Sequence, residues 1–272
     1  MPELPEVEAT RRGLLRAVVG AKVAALEVYD GRLRWTVPRD LPRAVVGRRV
    51  EAIERRGKYL LFRFGADTMI VHLGMTGSLT LHRLAPARRK HDHVDLVLEG
   101  GATVRFHDPR RFGAILWHPA GAPAHPLLAG LGPEPFDTAF SADYLYAQLR
   151  GRRAAVKTML MDAGVVVGVG NIYAAEALFR AGIRPATPAG RVSKARVARL
   201  VECVREVLAE SIARGGTTLR DYVGAGGEVG GFQHETRVYG REGLPCRVCG
   251  TTIRGVRLGQ RASAYCPNCQ KR

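Results

Sequence analysis

The chain has 272 residues, 46% of them hydrophobic, enough to bury a sizeable core and to build two domains. Lysine and arginine number 42 against 25 aspartates and glutamates, and the resulting +17 favours a polyanionic partner, nucleic acid above all. Arg11, Arg12 and Arg16 interrupt the first twenty residues, and no run approaches the roughly 18 apolar residues of a membrane span; the expectation is a cytoplasmic protein with no membrane partner.

The opening MPELPEVE puts a proline directly behind the initiator methionine, followed by Glu3, Glu6 and Glu8. Proline and acids suit the first turn of a helix. Alternatively, trimming of Met1 leaves the α-amine of Pro2 free to act as a nucleophile. Residues 3–19 are predicted as an amphipathic helix with Val7, Leu14, Leu15 and Val18 on one face. Short β-rich runs follow at 22–29, 32–37, 48–56, 58–64, 68–73, 78–84, 93–98, 103–107 and 113–118, with turn signals such as Asp30-Gly31 and Gly100-Gly101 between several of them. They predict a β-sandwich or flattened barrel. Residues 118–137 carry five prolines and three glycines and read as a hinge or linker.

Beyond the linker the period becomes helical, with Ser141 capping 142–149, shorter helices at 152–162 and 171–181, and Ser193 capping a long helix to about 213. In GVGN, Gly168 and Gly170 permit a tight backbone and Asn171 is expected to cap the next helix, where exposed amides can receive a phosphate. A plain loop-to-helix junction fits the same residues. The stretch 215–235 holds seven glycines and reads either as a mobile loop that closes over a ligand or as a linker.

Four of the five cysteines fall as Cys246-x2-Cys249-x16-Cys266-x2-Cys269. This spacing predicts one structural Zn2+ held by four thiolates, a coordinatively closed site with no catalytic position. Two disulfides would need an oxidising compartment. Cys203 is expected to be a buried small residue. Residues 237–272 carry eight Arg and Lys against one acid, Glu242, and Arg254, Arg257 and Arg261 fall between the cysteine pairs on a predicted β-hairpin. A phosphate-gripping hairpin and a solvated charged face both fit. His91-x-His93 alone is a poor metal site.

PELPEVE, GKYLLF at 57–62, HLGMTGSL at 72–79, KHDHVDL at 90–96, DPRRFG at 108–113, GVGNIYA and the basic four-cysteine finger occur in this order along the whole chain. The combination resembles the bacterial formamidopyrimidine-DNA glycosylases. The resemblance implies an α+β multidomain fold: a catalytic β-sandwich domain (1–117), a hinge (118–137), a helix–two-turn–helix DNA-binding domain with a flexible lesion loop (138–236) and a zinc finger (237–272). It implies a monomeric, bifunctional enzyme without a nucleotide cofactor, excising 8-oxoguanine and formamidopyrimidines from damaged double-stranded DNA and cleaving the abasic site by β,δ-elimination.

By the same resemblance, the Pro2 nitrogen attacks C1′, Glu3 protonates the sugar ring oxygen, Glu6 supports Glu3, and Lys58 donates a proton and holds phosphate. Arg261 is linked to δ-elimination, as a phosphate clamp. His91, Arg152 and Asn171 contact DNA, and Met75, Arg110 and Phe112 fill the gap left by the extruded base. The chemistry is coherent, because an α-amine with a reference pKa of about 8 is far more often unprotonated at neutral pH than lysine at about 10.4. A secondary amine also gives an iminium that is cationic without further protonation and serves as an electron sink. The readings held beside this are a related endonuclease VIII-like glycosylase for oxidised pyrimidines, and a non-catalytic DNA- or RNA-binding protein built on a zinc ribbon.

Overall fold

The computed structural model describes residues 2–217 and 232–271. The chain forms two compact units, one from residues 1–129 and 212–231, the other from 130–211 and 232–272. The fold is α+β and multidomain.

In the first unit, α1 (Leu4–Val18) is followed by β1 (Val23–Val28), α2 (Leu41–Val45), β2 (Ala52–Arg56), β3 (Tyr59–Phe64), β4 (Asp67–His72), β5 (Ser78–His82), β6 (Asp92–Leu98), β7 (Thr103–His107), β8 (Ala114–His118) and α3 (Pro126–Ala129). The strands make two antiparallel four-stranded sheets, ordered β1-β6-β7-β5 and β2-β3-β4-β8. Both sheets feed one apolar core: Leu26, Leu96 and Phe106 come from one, Ile53, Phe62 and Val71 from the other. From α1, Val7, Leu14 and Val18 enter the same core, while Leu15 only flanks it. That burial, roughly 1.5–3 kcal/mol for each large side chain, fixes the start of the chain to a rigid base.

One expected strand is absent here and one unexpected helix is present. Residues 32–37 are not a strand: the Leu33 and Val37 amides both donate to Gly31 O, so these buried side chains enter the core from a folded-back loop. The unpredicted α2 starts just ahead of Pro42, a first-turn position where the missing N–H costs nothing.

The second unit contains α4 (Ala142–Leu149), α5 (Val156–Leu160), α6 (Asn171–Arg180) and nearly all of α7 (Lys194–Ala213), then the hairpin β9 (Arg254–Leu258) and β10 (Arg261–Tyr265). Ser141 Oγ accepts the Tyr144 amide and Ser193 Oγ the Arg196 amide, at 3.1 and 3.4 Å, so both serines cap their helices as their positions predict. The helix expected at 152–162 shrinks to α5 because Ala155 is bridged to Pro188. Cys203 lies fully buried on α7, and burial pushes its thiol up to about 11. Past the cysteines, Lys271 pairs with Ile183: its amide donates to Gly182 O, and its carbonyl accepts the Arg184 amide. No helix among the described residues is long and apolar enough to cross a membrane.

Candidate active site and metal centre

At the N-terminus, Glu3 is the N-cap of α1 and Pro5 occupies its first turn. Pro2 precedes the cap, so Pro5 already supplies the helix-start role and the Pro2 ring serves no turn of α1. Glu3 and Glu6 are both 2% exposed. Glu6 Oε2 accepts the Glu3 amide and Glu6 Oε1 accepts the Thr217 amide, each at 2.7 Å. One buried carboxylate thus ties the start of the chain to the root of the glycine-rich segment. Most of that segment, residues 218–231, lies outside the described residues, and with it the expected lesion loop.

Glu8 has a different task. It is gripped by Arg11, Arg12 and Arg55 at 2.8, 2.9 and 3.3 Å. Burial alone would raise its pKa, but the guanidinium contacts outweigh burial and hold it below the usual carboxylate value.

Lys58 is not at a strand start; it stands with Gly57 in the two-residue turn joining β2 to β3, with Gly57 at φ +57°. Its charge reaches His72, a residue sequence reasoning passed over. Burial first, then Lys58 and Arg34, push the His72 pKa down to about 4. Because its Nδ1 accepts the Gly74 amide at 3.1 Å, the neutral ring carries its proton on Nε2. The result is a neutral donor beside a lysine, an arrangement suited to a phosphate oxygen.

Met75 lies in the loop between β4 and β5, Arg110 and Phe112 in the loop between β7 and β8. The two loops abut: a Cβ on Gly74 would meet the Phe112 carbonyl carbon at 2.4 Å. Phe112 is 40% exposed, with the Arg110 guanidinium 4.8 Å from its ring centre. His91 has φ +74° in the turn before β6. Its pKa is held below the usual value by desolvation, then by Lys90, His107, His93 and Arg111. His93 is buried, and its Nε2 donates to Asp108 O at 2.8 Å.

In the second unit, Arg152 is exposed in the loop after α4, and Gly190 N–H donates to its carbonyl at 2.9 Å. Asn171 does not cap α6. Gly170 is the N-cap, and Asn171 is the first helical residue, its Oδ1 taken by Lys157 Nζ at 2.7 Å. Lys157 is 1% exposed and also donates to Ser263 Oγ on β10 at 2.8 Å, joining α5, α6 and the hairpin. The signal for it in the sequence is a lone lysine on the buried side of a short apolar helix. Arg261 is exposed at the start of β10, one residue past the Gly259-Gln260 turn, and the predicted hairpin is present. Glu176, fully buried on α6, accepts the amides of Arg237, Val238 and Tyr239 at 2.8, 3.0 and 2.8 Å. Burial nevertheless raises its pKa.

The ligand atoms of Cys246, Cys249, Cys266 and Cys269 lie within 4.8 Å of one another. Sγ separations of 3.9 Å (Cys246–Cys269) and 3.5 Å (Cys249–Cys266 and Cys249–Cys269) suit four thiolates placed at about 2.3 Å around one tetrahedral zinc, which would space them about 3.8 Å apart. Within each pair a backbone N–H points at a ligand sulfur, Val248 at Cys246 and Cys269 at Cys266. The four cysteines would hold a structural Zn2+ and leave no open coordination position.

Three family models match in order: the formamidopyrimidine-DNA glycosylase N-terminal domain over residues 1–115, the formamidopyrimidine-DNA glycosylase H2TH domain over 131–223, and the zinc finger found in FPG and IleRS over 243–272. The chain belongs to the formamidopyrimidine-DNA glycosylase family. A formamidopyrimidine-DNA glycosylase of Methylococcus capsulatus is 56% identical over 271 residues, covering 100% of both chains. Among solved structures, the MutM (Fpg) protein of Thermus thermophilus is 42% identical, with a TM-score of 0.89 over 99% of this chain and 98% of that one. A MutM in complex with DNA containing carbocyclic 8-oxo-G is 32% identical, with a TM-score of 0.90 over 100% of both chains. The third match is a zinc finger, and all four cysteines that would hold its Zn2+ lie within it.

Proposed function

We infer that the protein is a bifunctional DNA glycosylase and AP lyase that removes 8-oxoguanine and formamidopyrimidines from damaged double-stranded DNA. Family membership supports the class, and the 8-oxo-G DNA in the solved relative supports the substrate. The observation that carries the mechanism is Pro2 lying ahead of the α1 cap, with the helix-start role taken by Pro5.

With Met1 removed, the Pro2 nitrogen attacks C1′ as the bond to the damaged base breaks. Glu3 protonates the ring oxygen, the sugar opens, and the iminium on Pro2 accepts the electron pair left when the C2′ proton departs. The 3′ phosphate then leaves by β-elimination, assisted by a proton from Lys58, and a second elimination releases the 5′ phosphate. Arg261 clamps phosphate through the N–H donors of its guanidinium. Glu6 orients Glu3 through its amide. His91, Arg152 and Asn171 hold the strand, and Met75, Arg110 and Phe112 occupy the gap. The orphaned cytosine offers acceptors to Arg110 where adenine would present a donor.

The enzyme acts as a monomer, in the cytoplasm and at the nucleoid. Its domains are 1–117, 118–137, 138–236 and 237–272, a division supported by the order and spacing of the three family matches.

Borohydride reduction of the enzyme on a duplex with 8-oxoguanine opposite cytosine tests the mechanism. A covalent adduct is expected, with peptide mapping placing it on the Pro2 nitrogen, and Pro2→Gly lowers its yield. An adduct mapped to Lys58 and not to the N-terminal nitrogen overturns the nucleophile while leaving the glycosylase class standing. Preferential excision of thymine glycol would instead favour the pyrimidine specificity.

A further inference from the structure

We propose that Asp108 is a positioning residue that locks the Met75 loop and the Arg110–Phe112 loop into one preformed wedge; this rests on reading those three side chains as the filler of the vacated base site. Asp108 is 0% exposed and sits where the two loops meet. Its Oδ1 accepts the Thr76 hydroxyl at 2.7 Å, from the residue next to Met75, and the Arg110 amide at 3.3 Å. Its Oδ2 accepts the Gly113 amide at 2.8 Å, one residue past Phe112. Thr76 Oγ1 itself accepts the Arg110 amide at 3.3 Å, closing a second tie between the loops.

The main chain of Asp108 extends the lock to the turn bearing His91. Its amide donates to His91 O at 3.0 Å, and its carbonyl accepts His93 Nε2 at 2.8 Å. Between the two wedge residues, Arg111 adopts φ +57°, a left-handed conformation costly for a side chain with a Cβ. Such a conformation persists only where its surroundings over-determine it. Here the Arg111 amide donates to Asp108 O at 3.3 Å, and Arg111 Nη2 donates to Asp30 Oδ2 at 2.6 Å.

The arrangement has a specific consequence. A duplex resists insertion until its base pair opens, and a filler that must first be ordered adds its own entropy to that barrier. A wedge already in its working geometry removes that part of the cost. Asp108 therefore acts on the opening of a paired lesion and not on bond cleavage at C1′, which takes place on other residues.

The test uses the full-length, zinc-loaded protein with Asp108→Asn and, as a milder disturbance, Thr76→Val. Single-turnover excision is measured on 8-oxoguanine opposite cytosine and on the same duplex with the orphan base deleted, so that the lesion starts unpaired. Excision of the paired lesion should fall by roughly 10–100-fold while the unpaired substrate stays within about threefold of wild type, and Thr76→Ser, which keeps the hydroxyl that Thr76→Val removes, should excise both substrates at close to the wild-type rate. Equal losses on the two substrates would mean general damage to the fold and would overturn the proposal, as would an undiminished rate on the paired lesion for both variants. If wild type gives no borohydride adduct on either duplex, the catalytic reading itself fails; if wild type traps and the variants show no paired-versus-unpaired difference, only the role of Asp108 fails.

Discussion

The first unit and the zinc finger hold their reactive side chains still with unequal resources. In the first, a continuous apolar core spans both sheets and α1, and buried carboxylates such as Glu6 and Asp108 are spared to tie loops to it. In the finger, the core is Ala175, Phe179, Val238, Cys246, Ile253, Ala264 and Cys266; two of these seven are metal ligands and two more belong to α6. Where apolar burial is thin, metal coordination and one carboxylate on a neighbouring helix take over its work. A part built this way is easy to dismantle without disturbing the rest.

The largest expected effect breaks the finger alone. Cys246→Ser, or chelation of the metal, removes a contribution of about 10–16 kcal/mol by the standard of structural zinc sites. Zinc content and DNA affinity should fall together, affinity by at least about 100-fold at fixed salt, while the β-sheet signal of the first unit keeps its melting transition. Tight DNA binding by the fully metal-free protein would contradict a supporting role for the finger.

A smaller change sharpens the same contrast. Glu176→Ala leaves the amides of 237–239 without their acceptor, which should destabilise the second unit by about 3–5 kcal/mol. Hydrogen exchange that speeds up around 237–239 and the cysteine pairs, but not in β3 and β4, is the expected pattern.

The third prediction belongs to the first unit. His72 has a folded-state pKa of about 4 against 6.5 when unfolded, so the unfolded chain binds the extra proton between those values. Its contribution therefore costs nothing above pH 6.5 and grows to about 3 kcal/mol of lost stability as pH falls to 4. Denaturant melts across this window should show the slope, and His72→Gln should flatten it.

Much of this was legible in the sequence. Alternation marked the strands of both sheets, Ser141 and Ser193 announced their helices, and the cysteine spacing is enough to define the metal centre. The misses share a cause. Leu33 and Val37 are apolar and alternate like a strand, but tertiary burial satisfies them from a loop. Asn171 has the composition of a cap, yet a lysine fourteen residues earlier claims its side chain. Asp108 and Glu176 were not legible as organising groups because most of their partners are backbone amides that any sequence would supply, and the Ser263 partner of Lys157 lies on a distant segment.

The pairing of Lys271 with Ile183 changes what the tail can tolerate. Terminal residues ordinarily fray and can be trimmed at little cost. Here the Lys271 carbonyl is held by the Arg184 amide and by Arg196 Nη2, two residues past the last cysteine ligand. A premature stop or an exopeptidase that reached Lys271 would pull on the metal knot directly, so the stretch behind the last thiolate is no expendable fringe.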